Sequence, residues 1–192
     1  MNGLPRARAA VAYAEGMHAG QSRADGTPFI LHPLEVASLL YDNGAPDHLI
    51  AAAVMHDLIE KTSVSASDLR ERFGPRITAL VLAVSDDAQI AGYAKRKAAL
   101  RRNVSGAGDE ALSLFAADKL SKVRELRRET TVDPNDSAAP GRVRALRARR
   151  LKHYHLSLVL LEERQPDSPL VRQLRDEFTA LTRERAMLTG VR

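Results

Sequence analysis

The run LIAAAVMHDLIE, residues 49–60, is apolar on every face of a helix and yet contains His56 next to Asp57. A helix that is apolar all round belongs in the centre of a fold, so both polar side chains should be buried with it. Burying an imidazole and a carboxylate is costly unless another group compensates them. A divalent metal ion suits both types of ligand. The chain is therefore expected to hold a metal beside a central helix, provided that further ligands lie elsewhere.

The rest of the chain has the pattern of a helical protein. Prolines stand where helices are expected to begin, and glycines stand where they end. Ser65 or Ser67 is expected to cap a short helix that ends at Phe73-Gly74. Strand-like alternation and internal repeats are absent from the sequence, which predicts an all-α fold in a single domain. The other predicted helices cover residues 5–19, 33–41, 46–60, 75–84, 91–103, 109–129, 140–164 and 168–188, with a loop at 21–33 and a polar break at 130–141.

Composition excludes several classes of site. The chain has no Cys, which removes disulfides, thiolate zinc sites and Cys nucleophiles and favours a cytoplasmic location. We expect no signal peptide, because the N-terminal stretch MNGLPRARAAVAYAEG carries charges and has no continuous apolar region. We expect no membrane span, because no stretch reaches the roughly 20 apolar residues that a span needs.

Basic residues are concentrated in residues 119–152, which hold eleven Lys/Arg against four acids and suggest an anionic partner. Aromatic residues make up only 4% of the chain, so we do not expect it to stack on nucleic acid. A phosphate-bearing small molecule is the preferred partner, and a solvated helix face is the alternative.

Two further polar residues stand in apolar surroundings. His32 precedes Pro33 at an expected helix start, and Asp118 interrupts the apolar stretch LSLFAADKL. Each of the four residues, taken alone, could be a hydrogen-bonded core residue. Together, His32, His56, Asp57 and Asp118 form a mixed nitrogen and oxygen set that suits Mn²⁺, Fe²⁺ or Zn²⁺.

Three separated motifs give the chain a family resemblance. HAGQSRADGTPFILHP at residues 18–33, MHDLIE at 55–60 and ADKL at 117–120 occur in this order. The combination resembles the HD-domain phosphohydrolases, and more closely the hydrolase half of the RelA/SpoT alarmone enzymes and their stand-alone small alarmone hydrolases. The resemblance covers about residues 5–163. It implies a helical HD-domain bundle at residues 1–163. Residues 164–192 lie past the match, and their amphipathic pattern predicts a C-terminal helical extension that packs on this domain or pairs subunits in a homo-oligomer.

The resemblance also implies roles for individual residues. His32, His56, Asp57 and Asp118 correspond to the metal ligands, with manganese as the usual metal. Glu60 lies one helical turn after Asp57 and is the candidate general base, and a surface ion pair is its alternative role. Arg23 matches an arginine that packs near the guanine base. The remaining candidate substrate contacts, each of which could instead be a solvated charge, are Lys61, Lys119, Lys122, Arg124, Lys152 and Tyr154.

Three positions depart from the pattern of the alarmone hydrolases. Lys61 stands where the family usually has a second acid, Ala24 where it has a basic residue, and Lys122 where it has an asparagine. The charge reversal at Lys61 could lower activity, change the substrate or supply a phosphate contact. Two functions are therefore predicted. The first is a metal-dependent phosphohydrolase acting on a nucleotide such as guanosine 3′,5′-bis(diphosphate). The second is a catalytically weak HD-fold protein that binds a nucleotide or a partner as a sensor.

Overall fold

The computed structural model describes residues 3–132 and 141–189, and the regular secondary structure in these ranges is entirely helical. The prediction of an all-α fold is confirmed. The predicted break at 130–141 lies mostly outside the described residues, and its first three residues and its last, Gly141, belong to helices. The helices are α1 (Pro5–Met17), α2 (Leu31–Asp42), α3 (Asp47–Met55), α4 (Leu58–Lys61), α5 (Ala66–Phe73), α6 (Pro75–Val84), α7 (Tyr93–Gly106), α8 (Asp109–Val132), α9 (Gly141–Arg164) and α10 (Pro169–Thr189).

Helix α3 is the centre of the first part of the fold, as its apolar sequence predicts. Every residue from Leu49 to Met55 is buried, and the helix packs against α1, α2 and α6. The prediction that this helix continues to Glu60 was wrong, because α3 ends at Met55 and α4 begins at Leu58. The interruption places His56 and Asp57 in a turn between the two helices.

Capping contacts fix the ends of the neighbouring helices. Asp47, in the first turn of α3, accepts hydrogen bonds from the backbone N–H groups of Arg6 (3.0 Å) and Ala7 (2.9 Å) at the start of α1. Ser65 forms a capping box with Asp68 at the start of α5, which decides between the two predicted caps. Helix α2 begins at Leu31, two residues earlier than predicted, so His32 lies in its first turn.

The chain divides into two compact units between Asp118 and Lys119. The first unit contains α1 to α7 and the N-terminal part of α8. In the second, Arg124 and Arg127 of α8 form ion pairs with Glu177 of α10 (both pairs within 3.1 Å), and α9 packs against α10. The predicted domain limits at 163 and 164 stay a prediction. Across the described ranges, no helix combines the length and apolar character needed to cross a membrane.

Candidate metal centre

Four side chains from three segments of the first unit meet in its interior. His32 comes from the first turn of α2, His56 and Asp57 from the turn after α3, and Asp118 from the middle of α8. All four are buried, with 2–4% of each residue exposed. The sequence motifs that hold them are far apart along the chain, and the helical packing brings these residues together.

The imidazole and carboxylate groups are close to one another. His32 Nε2 lies 3.2 Å from Asp118 Oδ1 and 3.6 Å from Asp57 Oδ2. His56 Nε2 lies 3.5 Å from each of the same two oxygens. One ligand atom each from His32, His56 and Asp118 lies within 4.8 Å of the others. Each histidine therefore faces both carboxylates, and the ligand atoms of His32, His56 and Asp118 enclose a space small enough for a single ion.

These separations fit a divalent cation. Nitrogen and oxygen ligands bind transition metals at about 2.0–2.2 Å. Two such ligands on one ion are therefore about 3.0 Å apart at a right angle and about 3.4 Å apart at the tetrahedral angle. The four measured contacts of 3.2–3.6 Å lie close to this range. His32, His56 and Asp118 can thus hold a divalent metal, and the carboxylate of Asp57 lies beside both histidines.

A hydrogen bond from its side chain to a backbone carbonyl orients His56 towards the cluster. Its Nδ1 lies 2.7 Å from the carbonyl oxygen of Ala53. Because a carbonyl can only accept, Nδ1 carries a proton, and Nε2 is the ring nitrogen that can offer a lone pair to a metal. The ring of His56 also packs edge-on against His32, with centroids 5.1 Å apart, and His32 packs against Phe29 at 6.1 Å.

Glu60, the candidate general base, lies on α4 and is exposed. Its Oε1 accepts a hydrogen bond from the backbone N–H of Asp86 at 2.6 Å. The carboxylate of Asp86 in turn lies 2.7 Å from Lys97 Nζ and 3.3 Å from Arg96 Nε. The candidate base is thus attached to the loop between α6 and α7.

The neighbouring residue on α4 is attached to a different loop. Gln21 Nε2 donates to the carbonyl oxygen of Lys61 at 2.9 Å, and Gln21 Oε1 lies 2.9 Å from Nδ1 of the buried His18. The side chain of Lys61 is exposed. The motif at residues 18–33 therefore contacts α4 as well as supplying His32.

Arg23 lies in a tight turn of this motif and is half-buried. Its backbone N–H donates to the carbonyl of Thr27 at 2.8 Å. The Thr27 hydroxyl donates to Asp25 at 2.6 Å, and this bond, together with the backbone N–H of Thr27, lowers the pKa of Asp25 below its usual value. Hydrogen bonds within residues 23–27 thus stabilise the turn that contains Arg23.

The other candidate substrate contacts belong to the second unit and differ in exposure. Lys119 and Tyr154 are buried, with 3% and 4% exposed, whereas Lys122 is half-buried and Lys152 is exposed. Arg124 donates to Glu177 at 3.1 Å and to Gln173 at 3.4 Å. Arg124 thus already takes part in an ion pair, and Lys119 and Tyr154 are buried.

Sequence reasoning did not find the contact between Asp86 and Glu60 or the one between Gln21 and Lys61. In both, a side chain meets a backbone group 26 or 40 residues away. The spacing of residue types cannot predict such contacts, because the backbone groups of any residue can form the same hydrogen bond.

Known proteins resemble this chain in sequence and in structure. A family model described as "HD domain" matches residues 10–140. A guanosine-3′,5′-bis(diphosphate) 3′-pyrophosphohydrolase of Aquifex aeolicus is 31% identical over 116 residues, which are 59% of this chain and 17% of that protein. A GTP pyrophosphokinase of Streptomyces coelicolor is 34% identical over 117 residues, 59% of this chain and 14% of that protein. The chain thus spans less than a fifth of the length of these relatives.

The structural comparison extends over more of the chain. The solved structure described as a metazoan ortholog of SpoT that hydrolyzes ppGpp matches with a TM-score of 0.76 at 24% identity. The match covers 92% of this chain and 95% of that one, which establishes the same fold. With more than half of the sequence matched by the family model and the His and Asp cluster within that range, the chain belongs to the HD-domain family.

Proposed function

We propose that this chain is a metal-dependent phosphohydrolase that removes pyrophosphate from the 3′ position of a guanosine nucleotide such as guanosine 3′,5′-bis(diphosphate). The observation that carries the proposal is the buried cluster of two imidazoles and two carboxylates at metal-ligand spacing. The substrate is suggested by the relatives named as guanosine-3′,5′-bis(diphosphate) 3′-pyrophosphohydrolases in Aquifex aeolicus and Synechocystis.

In this proposal the metal ligands are His32, His56, Asp57 and Asp118. The donor set suits Mn²⁺, which we propose as the metal, and Fe²⁺ and Zn²⁺ are the competing ions. A divalent metal supplies Lewis acidity, which lowers the pKa of water and polarises a phosphoryl oxygen. We also propose a cytoplasmic location, in keeping with a chain that has no Cys.

Glu60 is the proposed general base. It accepts a proton from the water that attacks the phosphorus attached to the 3′ oxygen. The bond between that phosphorus and the 3′ oxygen breaks and the 3′ oxygen takes up a proton from solvent, so the products are guanosine 5′-diphosphate and pyrophosphate. Asp57 is the second proposed catalytic residue, because its carboxylate lies in the metal cluster three residues before Glu60 and can orient the attacking water.

The proposed substrate contacts differ in their exposure and in the partners that they already have. Arg23 has a planar guanidinium suited to a purine ring and lies in a constrained turn. Lys61 is exposed and comes directly after the proposed base. Arg124 would have to exchange Glu177 for a phosphate, and Lys119 and Tyr154 are buried. The half-buried Lys122 and exposed Lys152 complete the proposed set.

Lys61 also favours a second candidate function. A lysine in place of a second acid removes a carboxylate and adds a positive charge beside Glu60, where an ammonium group can bind a phosphate. A protein of this kind would bind the nucleotide and turn it over slowly, as a sensor. Substituting Lys61→Asp separates the two functions, because a large gain in hydrolysis would support the sensor.

The test of the proposed function compares two acids three residues apart. Purified protein with Mn²⁺ is incubated with guanosine 3′,5′-bis(diphosphate), and pyrophosphate release is measured together with bound metal. Wild type should release pyrophosphate. Asp57→Ala should lose metal and turnover, whereas Glu60→Gln should keep the metal and lose turnover. Absence of pyrophosphate release by metal-loaded wild type contradicts the hydrolase and supports the sensor.

A further inference from the structure

We propose that Asp86 and Lys97 are positioning residues that hold the carboxylate of Glu60 in place. This inference rests on the proposed role of Glu60 as the general base. It assigns to the loop between α6 and α7 the task of fixing the orientation of a side chain on α4.

Glu60 needs such a support because of its position. It lies on a helix of four residues and is exposed, and a glutamate there has three side-chain torsions to restrict. The backbone N–H of Asp86 donates to Glu60 Oε1 at 2.6 Å, which fixes one oxygen of the carboxylate. A bond to a charged acceptor is stronger than one between neutral groups, so this contact restricts the side chain effectively.

The loop amide is itself held from α7. The carboxylate of Asp86 is only 13% exposed and lies 2.7 Å from Lys97 Nζ, whose side chain is 19% exposed. Arg96 adds a second contact to the same oxygen at 3.3 Å. Asn103, further along α7, donates to the carbonyl oxygens of Leu82 and Ala83 near the end of α6. Helix α7 therefore contacts both the loop, at Asp86, and the end of α6 from which the loop starts.

These contacts form a chain from Lys97 through Asp86 to Glu60. The ammonium of Lys97 neutralises Asp86 and fixes the residue whose N–H holds the base. If Lys97 is removed, Asp86 can turn towards solvent and its amide can move. A displacement of about 1 Å is enough to cost roughly 100-fold in rate where a catalytic group must be aligned. The predicted effect of Lys97 on turnover therefore passes through Glu60.

The kinetic test removes Lys97 in two backgrounds. Lys97→Met should lower kcat about tenfold or more and leave KM and bound Mn²⁺ close to wild type, whereas Lys97→Arg should retain most of the activity. Lys95→Met is the matched control, because Lys95 is an exposed lysine on the same helix, and its kcat should not change. In a Glu60→Gln background, Lys97→Met should have little additional effect.

Three kinetic results would overturn the proposal. An equal loss of kcat in both backgrounds would indicate general damage to the fold, and a raised KM would indicate a direct substrate contact. Full turnover by Glu60→Gln would show that there is no base to position.

A second measurement does not depend on turnover. The NMR resonance of the Asp86 amide proton reports its hydrogen bond to Glu60 in the wild-type chain. Glu60→Gln and Lys97→Met should both shift this resonance in the same direction, and Lys95→Met should leave it in place. If wild type releases no pyrophosphate, the proposed function fails. The NMR spectrum then still shows whether Lys97 stabilises the hydrogen bond between the Asp86 amide and Glu60. An Asp86 amide that is unmoved by Lys97→Met contradicts the positioning role.

Discussion

His56 donates a hydrogen bond from Nδ1 to the carbonyl oxygen of Ala53, three residues earlier in the chain. The backbone N–H of His56 points to the same oxygen at 3.4 Å. In a continuing α-helix this carbonyl would accept the N–H of Asp57 instead. One side-chain contact therefore ends α3, turns the chain and directs Nε2 of His56 towards the two carboxylates.

We predict that His56→Gln lowers the affinity for Mn²⁺ by more than about tenfold, since loss of even an outer-shell partner has effects of this size. Metal content after dialysis, measured by elemental analysis, tests the prediction. His48→Gln is the control, because His48 contacts Glu110 outside the cluster, and it should bind metal like wild type. Equal metal content in both variants would remove His56 from the ligand set.

Gln21 should matter for turnover without being a metal ligand. Its amide joins His18 to the carbonyl of Lys61, so Gln21→Ala removes two hydrogen bonds of about 1 kcal/mol each. We expect a lower melting temperature, a lower kcat and unchanged metal content. Gln89→Ala, at an exposed loop position, should change none of these quantities. A Gln21→Ala variant with wild-type stability and rate would show that this bridge has no effect.

Ser65 should contribute to stability through its cap. Ser65→Ala removes both hydrogen bonds of the Ser65 side chain, and loss of an N-cap costs about 0.5–2 kcal/mol in the free energy of unfolding. Urea denaturation followed by circular dichroism measures this change. Ser67→Ala, an exposed position within the same helix, should change stability much less. The capping assignment fails if the two variants are equally stable.

The lowered pKa of Glu110 predicts that the stability of the protein depends on pH. Burial raises its pKa, but hydrogen bonds from His48 and Arg76 outweigh this effect, so that the pKa lies below its ordinary value of 4.5. A carboxyl whose pKa is lowered by folding stabilises the protein above its unfolded pKa, and this contribution is lost as pH falls through the folded pKa. The difference in unfolding free energy between wild type and Glu110→Gln should therefore be largest near neutral pH and shrink below about pH 4.5. A difference that grows on acidification would contradict this assignment.

The sequence predicted the elements whose causes are local. Ser65, Gly74 and Pro75 define α5 and α6 through capping and fixed torsions, and both helices begin and end as the residues indicate. The burial of α3 followed from its composition. The end of α3 could not be predicted, because it depends on a side-chain bond of His56 that competes with the helical pattern.

For the site, the sequence named the four residues that meet in the cluster, since an imidazole or a carboxylate buried in an apolar helix requires a compensating partner. It did not locate the residues that hold Glu60. Asp86 acts through its backbone N–H, which every residue except proline possesses, so that only the packed structure distinguishes it.

The most direct test of the proposed metal centre is anomalous X-ray diffraction from crystals of the chain soaked in Mn²⁺. We predict one strong anomalous peak, about 2.0–2.3 Å from His32 Nε2, His56 Nε2, Asp57 Oδ2 and Asp118 Oδ1. A peak elsewhere, or no peak at these four atoms in crystals soaked at saturating Mn²⁺, would contradict the assignment of the metal ligands.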